Sequence, residues 1–377
     1  MAAGQDPLKE HLRRVARMRS RVRGLMLGLA LGDTLGAARG GPPAAGPLRA
    51  GVSTQLACFT AEGIIRAMVR GRHKGVCHPP GVVLHAYCRW AALQGIEAER
   101  MRRRWASHPS GDAWPDGWLA GVPALAERRG NAPATVAALS RIEDPHSEIS
   151  TPSRGCHALT RTLPAAVAGP EWARQAGEFA GITHGDPAAR SAAVQAVVLL
   201  QHCLTAPAPA VPAGSGASGD TLVRGALEAG ITGLPAGRPW SPDEEHERLR
   251  AVYRQAVDRP GDPVLLARLA PDATAPSALL GGLYTAGSFP GRDRFTAALA
   301  FAAGAPDGAS VACVTGALLG AVHGAEALPA DLVSRHELGW VLDALAHDLL
   351  AQIEDPPSGS EYVPGWDPYW WDRYPGW

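Results

Sequence analysis

Two segments of this 377-residue chain carry glycine at every fourth position. The two sets are Gly24, Gly28, Gly32 and Gly36, and Gly316, Gly320 and Gly324. Residues four apart share one face of an α-helix, so each set leaves a stripe almost free of side chains, where another backbone can approach closely. Glycine costs about 1 kcal/mol relative to alanine inside a helix, so glycines in such number need a packing reason. We expect both helices at the centre of one domain, where they could pack against each other, and this argues against dividing the chain.

Helix signals occur along the whole chain, whereas alternating strand patterns are scarce. Asp-Pro or Ser-Pro pairs, which place a capping oxygen before a proline at the first helical position, begin at Asp6, Asp186, Ser241 and Asp262. Near the end of the chain, one apolar stripe has spacings of three and four residues and consists of Leu338, Leu342, Leu345, Leu349 and Ile353. These patterns predict an all-α protein.

Composition and charge exclude several classes of partner. An apolar content of 46% and a charged content of 19% are typical of a globular protein. The formal net charge is zero, so no overall field attracts nucleic acid or an anionic membrane. Arginine-rich residues 13–23 and 100–104 are interpreted as solvated helix faces, because no aromatic residues interleave with them. The apolar stretch Leu25–Leu35 is too short to span a bilayer. We expect neither a nucleic-acid nor a membrane partner.

The six cysteines are scattered, without a C-x-x-C pair or a short Cys/His cluster. Such spacing argues against a zinc site and against a disulfide framework. The first residues also lack an uninterrupted apolar stretch of the signal-peptide type. We therefore expect a cytoplasmic protein.

Three segments are predicted to be irregular. Residues 205–220 are rich in proline, alanine, glycine and serine and are interpreted as a surface loop, and residues 355–361 resemble a linker. The tail, residues 362–377, contains Tyr362, Trp366, Tyr369, Trp370, Trp371, Tyr374 and Trp377. These rings are expected either to fold back onto the helices or to bind a protein partner, and the first interpretation is favoured.

Five segments resemble, in the same order, motifs of the ADP-ribosylglycohydrolase family. Residues 23–37 (RGLMLGLALGDTLGA) are similar to its opening helix R-G-x-x-x-G-x-A-x-G-D-A-x-G, and residues 54–67 (TQLACFTAEGIIRA) to the stretch after its T-D-D-T motif. Residues 153–164 (SRGCHALTRTLP) resemble S-K-G-C-G-x-x-M-R-x-x-P, and residues 180–187 (AGITHGDP) resemble x-x-x-T-H-G-x-P. Residues 307–324 (DGASVACVTGALLGAVHG) resemble D-x-D-[ST]-x-A-x-x-x-G-x-L-L-G-A-x-x-G.

The resemblance implies a compact, single-domain orthogonal bundle of many helices over residues 20–353. Residues 1–19 are then a helical extension, and residues 354–377 form the aromatic tail. The resemblance also implies an activity, because members of the family use two Mg²⁺ ions held by carboxylates. These ions bind ADP-ribose and position a water molecule at its anomeric carbon.

This sequence departs from the family pattern at the metal positions. The resemblance leaves Thr54, Asp307 and Ser310 as remnants of the metal site, while Val52, Ser53 and Ala309 replace ligands and Gly40 replaces a glutamate. One carboxylate cannot offset the repulsion between two divalent ions. We expect no resident metal cofactor, and at most one weakly bound Mg²⁺ at Asp307. Asp33 is the nearest substitute carboxylate, but a buried aspartate bonded to backbone amides is the favoured interpretation.

The residues that the resemblance assigns to ligand binding are better kept. They are Ser153, Gly155, Cys156, Arg161 and His184. Backbone amides in such a loop can form an anion-binding nest. His157 replaces a glycine of the family and could narrow the cleft. An ion pair of Arg161 with Asp307 or Asp33 is as good an interpretation as ligand contact, and a core or capping role for His184 is equally open.

Three hypotheses about function follow. The first is a catalytically impaired member of the family that still binds ADP-ribose or a related nucleotide. The second is an active ADP-ribosyl glycohydrolase with an altered metal site, for which Asp307 would be essential. The third is an interaction scaffold whose protein partner binds the aromatic tail.

Overall fold

The computed structural model describes residues 7–375 apart from 40, 42, 106–113, 143–148, 208–216 and 235–242. The described residues form α-helices and isolated β-bridges, which confirms the all-α prediction. In chain order the helices are α1 (Pro7–Ala37), α2 (Val52–Lys74), α3 (Pro79–Leu93), α4 (Ala98–Trp105), α5 (Pro123–Ala126), α6 (Pro133–Leu139), α7 (His157–Thr160), α8 (Trp172–Gly181), α9 (Pro187–Thr205), α10 (Ala217–Thr232), α11 (Asp243–Asp258), α12 (Pro263–Leu269), α13 (Ala275–Ser288), α14 (Phe295–Ala302), α15 (Gly308–His323), α16 (Ala330–Arg335), α17 (Gly339–Glu354) and α18 (Trp370–Arg373). Short 3₁₀ helices occur at Trp118–Gly121, Leu163–Ala168, Arg292–Arg294 and Ala325–Ala327.

The two glycine stripes meet at the centre of the molecule, along the contact between α1 and α15. The facing pairs are Gly24 and Gly320, Gly28 and Gly316, Gly32 and Ala312, and Gly36 and Gly308. A β-carbon on any of the four α1 glycines would lie within 3.0 Å of α15 backbone atoms. Backbone-to-backbone packing of this kind is available only to glycine-lined helices. The expectation that the stripes mark the central helices is confirmed.

The order of these pairs makes α1 and α15 antiparallel. Asp33, in the last turn of α1, and Asp307, the residue before α15, therefore lie at the same end of the helix pair. Gly324, the last glycine of the second set, falls just after α15 with a φ of 81° and ends that helix. The packing of the core thus brings together two motif segments that are far apart in the sequence.

The helix starts agree well with the capping signals. Asp186 accepts a hydrogen bond from the Ala188 amide at 2.8 Å, at the start of α9. Asp262 accepts from the amides of Val264 and Leu265 at 2.9 and 3.1 Å, at the start of α12. α1 begins at Pro7, as predicted, while Ser241 lies outside the described residues. The predicted stripe of α17 is buried at Leu338, Leu342, Leu345 and Leu349.

The structure adds detail to two predicted segments. In the predicted helical extension, residues 7–19 are helical and continue without a break into the core part of α1, with Leu8 and Leu12 exposed near the start of that helix. The predicted loop 205–220 is shorter than expected, because α9 includes Thr205 and α10 starts at Ala217. The sequence signal failed at residues 217–220 because small polar residues are also compatible with the first turn of a helix.

The aromatic tail folds back onto the helices in part. Trp370 and Tyr374 are buried, and the Tyr374 hydroxyl and the Arg373 guanidinium both donate to the Asp348 carboxylate of α17. In contrast, three rings remain exposed, those of Tyr362, Trp366 and Tyr369. Trp377 lies outside the described residues. The end of the tail therefore belongs to the core, whereas its first half is available at the surface.

None of the described helices is long and apolar enough to cross a membrane. The stretch Leu25–Leu35, the most apolar early segment, is instead part of α1, which is buried against α15.

Candidate functional site

A cavity of about 380 Å³ opens where the motif segments converge. The end of α1, the start of α2 and the start of α15 form one side of it, and residues 153–157 form another. Residues 129–134, before and at the start of α6, complete the wall. A cavity of this size lies within the usual range of small-molecule sites.

Asp33 stands at the inner wall of the cavity and caps α2. Its Oδ2 accepts hydrogen bonds from the amide of Thr54 at 3.0 Å and from its hydroxyl at 2.7 Å. The N-cap residue of α2, Gly51, has no side chain, and a β-carbon there would lie within 2.7 Å of the Asp33 carboxyl group. Asp33, a residue of α1, thus accepts the hydrogen bonds that an N-cap side chain of α2 would otherwise accept. Burial raises the pKa of Asp33 to about 6, against the lowering effect of the Thr54 hydrogen bonds.

Asp307 occupies the N-cap position of α15, but its side chain makes no capping hydrogen bond. Its Oδ2 is buried and has no hydrogen-bond partner among the described residues. Because an unpartnered buried oxygen is costly, this atom is an acceptor that a ligand in the cavity would satisfy.

Arg161 lies outside the cavity wall and is fully buried. Its guanidinium donates to the Thr135 hydroxyl at 3.0 Å and to the Phe179 carbonyl at 2.9 Å, and it stacks 4.4 Å above the Tyr87 ring. No ion pair of the described residues joins it to Asp33 or Asp307, so that interpretation was wrong. Arg161 donates to carbonyl groups and a hydroxyl instead of a carboxylate. Its hydrogen bonds join residues 179–180 to Thr135 of α6.

Ser153, Gly155 and Cys156 line the cavity, but the amides of these three residues already donate hydrogen bonds within the protein. The Gly155 amide donates to the Ser153 hydroxyl at 3.1 Å, and the Cys156 amide donates to the Ala273 carbonyl at 3.0 Å. The Ser153 amide faces the Thr151 hydroxyl at 3.4 Å. The anion-binding nest expected from the motif is therefore not supplied by these three amides. The loop contributes shape and the Ser153 hydroxyl.

Gly155 has a steric reason to lack a side chain. A β-carbon there would lie 3.2 Å from Nε2 of His184 and 3.2 Å from the Ser153 hydroxyl oxygen. Such distances are tighter than ordinary contacts, so the glycine lets the loop approach His184. Cys156, the next residue, is buried, and burial together with the Asp307 carboxylate raises the pKa of its thiol to about 12. It therefore stays protonated and is not an activated nucleophile.

Two histidines of the wall stay neutral at pH 7. Burial, with Arg161 and His157 nearby, lowers the pKa of His184 to about 2. Burial and Arg161 lower the pKa of His157 to about 4, although Asp307 acts in the opposite direction. Nδ1 of His184 lies 2.8 Å from the Thr183 hydroxyl. Both rings thus present neutral hydrogen-bonding groups to the cavity.

The neutral His184 makes stability depend on pH. Its folded pKa lies below the unfolded value of about 6.5, so its contribution is present above pH 6.5 and is lost as the pH falls. When the pH is lowered from 7 to 5, the free energy of unfolding of the wild type should fall by about 2 kcal/mol more than that of His184→Asn. Urea denaturation at both pH values measures this. The exposed His347→Asn serves as the control, and equal slopes in the wild type and in His184→Asn would contradict the prediction.

Most of the positions inferred from the motifs reach the cavity. Its wall includes Ser153, Gly155, Cys156, His184, Asp307 and Ser310, together with Val52, Ser53 and Ala309 at the replaced positions. Thr54 points instead to Asp33, and Arg161 packs elsewhere. The Thr160 hydroxyl donates to the Ser53 hydroxyl at 3.0 Å. Ser53 stands where the family motif has an aspartate and Thr160 where it has a methionine, so two replaced positions are joined by a hydrogen bond between hydroxyls.

Sequence reasoning missed one part of the wall, residues 129–134. Arg129 pairs with Glu337 at 3.1 Å, and Asn131, Pro133 and Ala134 line the cavity beside it. Gly130 has a φ of 95°, and a β-carbon there would lie 3.9 Å from the Val52 side chain. The Gly-Asn pair and the following proline are recognisable turn signals. Nothing local, however, indicates that this turn lies over α2.

The residues present do not fit a pair of magnesium ions. Asp33 and Asp307 are the acidic side chains among the described residues of the wall, and Asp33 is occupied as the cap of α2. The described part of the chain contains no group of three or more His, Cys, Asp or Glu side chains arranged to hold a metal. Val52 and Ala309 offer no ligand atoms, whereas Mg²⁺ prefers several oxygen ligands. The cavity is therefore a polar pocket in which one carboxylate oxygen, Oδ2 of Asp307, has no hydrogen-bond partner among the described residues.

Comparisons with known proteins identify the family and the fold. The model of the ADP-ribosylglycohydrolase family matches residues 14–358. A solved structure titled "ADP-ribosylglycohydrolase-related protein complex" contains a chain of similar fold, with a TM-score of 0.53 and 20% sequence identity over 90% of this chain and 99% of that chain. At this identity the structural likeness shows the fold alone. No curated protein has a significant match. Since the family match spans most of the sequence and its motif segments surround one cavity, this chain belongs to the ADP-ribosylglycohydrolase family.

Proposed function

We propose that this protein binds ADP-ribose or a related nucleotide in the cavity but does not catalyse the two-magnesium hydrolysis of its family. The observation that carries this proposal is the loss of acidic groups around the cavity. Two carboxylates belong to its described wall, and one of them already caps α2.

The electrostatic argument against a metal pair is quantitative. Two divalent ions about 4 Å apart repel each other by about 16 kcal/mol at an effective dielectric constant of 20. Family members offset this repulsion with several carboxylates, as the resemblance implies. Asp307 with the hydroxyls of Ser53 and Ser310 carries a single negative charge. A hydroxyl oxygen does not supply the charge that a second ion requires.

The remaining wall suits a neutral or hydroxyl-rich part of a ligand. Ser53, Ser153, Ser310 and Asn131 bring hydroxyl and amide groups, and His184 adds a neutral ring. The unpartnered Oδ2 of Asp307 is an acceptor suited to the hydroxyls of a ribose. Val52, Pro133 and Ala134 contribute apolar surface. This combination of apolar walls with a few converging polar groups is typical of a binding pocket.

Calorimetric titration with ADP-ribose, in Mg²⁺ and in EDTA, tests this proposal. We expect the same dissociation constant under both conditions, because no metal takes part. We also expect no release of ADP-ribose from ADP-ribosylated arginine or serine above a heat-inactivated control. Ala134→Trp places a large ring at the cavity wall and should abolish binding, whereas Ala137→Trp, exposed on the same helix and outside the cavity, should bind normally.

The alternative of an active enzyme makes the opposite prediction. Mg²⁺-dependent release of ADP-ribose by the wild type, lost in Asp307→Asn, would overturn the proposed absence of hydrolysis. Equal binding by Ala134→Trp and Ala137→Trp would overturn the location of the ligand. An absence of binding by the wild type would overturn the binding proposal itself.

A further inference from the structure

The first part of α1, residues 7–20, is a helical arm whose side chains are exposed or half-buried, whereas burial begins at Arg21. At 1.5 Å per residue the arm is about 20 Å long. Leu8 and Leu12, which lie four residues apart on one face of the helix, are 63% and 57% exposed. A helix of this length gains little stability in water by itself. Its exposed leucines therefore indicate a face that is suited to a partner.

The arm is strongly basic. Residues 7–20 contain five cations and one carboxylate, which are Lys9, Arg13, Arg14, Arg17, Arg19 and Glu10. Glu10 lies 3.9 Å from Arg13 and 3.6 Å from Arg17, in pairs that water screens. Five cations against one carboxylate leave the arm a net charge of +4, while the whole chain has a net charge of zero. The rest of the chain therefore carries an acidic excess.

Part of this excess lies on the tail surface, by which we mean residues 354–372. Its carboxylates are Glu354, Asp355, Glu361, Asp367 and Asp372, and none of them forms an ion pair with another described residue. The Glu361 amide donates to the Arg72 carbonyl at 3.4 Å, which places the end of α2 beside this surface. Two exposed cations, Arg72 and Lys74, are present there. They balance at most two of the five carboxylates, so the tail surface remains acidic.

The tail surface also presents apolar side chains on a folded loop. Its exposed apolar groups are Tyr362, Val363, Trp366 and Tyr369. The Trp366 indole donates to the Asp355 carbonyl at 3.3 Å, and the Ser360 amide donates to the Val363 carbonyl at 2.8 Å. The buried ring of Trp370 anchors the end of the loop in the core. Side chains that are already held in place lose less entropy when a partner binds.

The arm and the tail surface lie toward the same end of the molecule, because α17 is antiparallel to α1. The Thr34 hydroxyl of α1 is 3.2 Å from Nε2 of His336, just before α17, and Arg23 of α1 pairs with Asp343 of α17. The start of α1 and the end of α17, where the tail surface begins, therefore point in the same direction. No ion pair of the described residues joins the arginines of the arm to the tail surface of their own chain.

We infer that the arm binds the tail surface of a second copy of this chain, in a dimer where each arm lies on the tail surface of the other copy. A basic arm and an acidic surface are complementary in charge, and a two-fold arrangement covers both in both copies. Leu8 and Leu12 would cover the exposed rings, and the guanidinium groups would pair with carboxylates and stack on aromatic faces. The inference does not depend on the proposed binding of ADP-ribose, because the tail surface contributes no residue to the cavity.

Sedimentation velocity of the full-length protein over a range of micromolar concentrations tests the inference. We expect a dimer that dissociates at high salt, because salt screens contacts between exposed charges. Arg13→Glu combined with Arg14→Glu reverses charges of the arm, and Glu361→Arg combined with Asp372→Arg reverses charges of the tail surface. Either double variant should raise the dissociation constant of the dimer by more than about ten-fold, since like charges then face each other.

A matched control and a mixing experiment locate the contact. Arg254→Glu combined with Arg268→Glu reverses two exposed arginines on α11 and α12 and should dimerise like the wild type. The arm variant mixed with the tail variant should form a dimer again, because each reversed arm or tail surface then meets an opposite charge. This recovery also shows that both variants are folded.

Three outcomes would overturn the inference. The first is a wild-type protein that stays monomeric over the whole range of concentrations at low salt. The second is a dimer with the same dissociation constant in the arm variant, the tail variant and the control, which would place the contact elsewhere. The third is a mixture of the arm and tail variants that remains monomeric. Titration of both variants with ADP-ribose should match the wild type, which keeps this test separate from that of the proposed function.

Discussion

Replacement of Gly32 by alanine is expected to lower the free energy of unfolding by about 3 kcal/mol. The new β-carbon would lie within 3.0 Å of the Ala312 carbonyl group and of the Cys313 α-carbon, all of them backbone atoms of α15. Backbone atoms cannot rotate away as a side chain can, so α1 and α15 must separate. This separation loosens the core and moves Asp33 relative to Asp307 at the cavity.

Gly225 provides the matched control for this prediction. It is an exposed residue inside α10, and a β-carbon there would meet nothing within 4 Å. Gly225→Ala should therefore raise the free energy of unfolding by about 0.5–1 kcal/mol, through helix propensity alone. Urea denaturation of both variants checks the opposite signs. Stabilisation by both substitutions would contradict the close packing of the glycine stripes.

Glu62→Gln is expected to lower the free energy of unfolding by about 3–5 kcal/mol. Glu62 is fully buried and bonds to two buried arginines, Arg66 and Arg89. The amide keeps the shape of the side chain but removes its charge, which leaves Asp116 alone to offset two guanidinium groups. The loss comes mainly from buried positive charge without a partner, because burial removes most of the hydration of these guanidinium groups.

An exposed pair on α11 is the control for the Glu62 prediction. Glu247 and Arg250 lie 2.7 Å apart, but their side chains are 62% and 45% exposed. Glu247→Gln should change the free energy of unfolding by no more than about 0.5 kcal/mol, since water screens this pair. Thermal and urea denaturation of both variants at low and high salt make the comparison. A Glu62→Gln variant as stable as Glu247→Gln would show that the buried cluster is not a structural requirement.

The glycine stripes also explain why the cavity exists where it does. Because α1 and α15 are antiparallel in close backbone contact, the end of one and the start of the other are adjacent. Asp33 and Asp307, which are 274 positions apart by their numbers, therefore share one wall. The cap that Asp33 gives to α2 then places Val52 and Ser53 in the same wall. The same helix packing that forms the core therefore also positions the wall of the cavity.

The local pattern of the sequence was sufficient for the class of fold, the central helices and much of the cavity. Helical periodicity, capping pairs and glycine spacing depend on residues within a few positions of each other, so they can be recognised without the fold. The motif resemblance identified Asp307, Ser153 and His184 as cavity residues for the same reason. It also showed that Val52 and Ala309 stand where acidic groups are expected. This conclusion needs only the residue types at the motif positions and no knowledge of the fold.

Only the tertiary structure decided which distant groups meet. The partners of Arg161 are a hydroxyl and carbonyl groups, although the sequence equally allowed an aspartate. The tail divides into buried Trp370 and exposed Tyr369, although the two residues are neighbours. Nothing in the spacing of Glu62, Arg89 and Asp116 indicates that they form one buried cluster. Such contacts depend on the packing of helices that are remote in the sequence. Burial then sets how strongly each charged group interacts with its neighbours, and no local sequence pattern encodes burial of this kind.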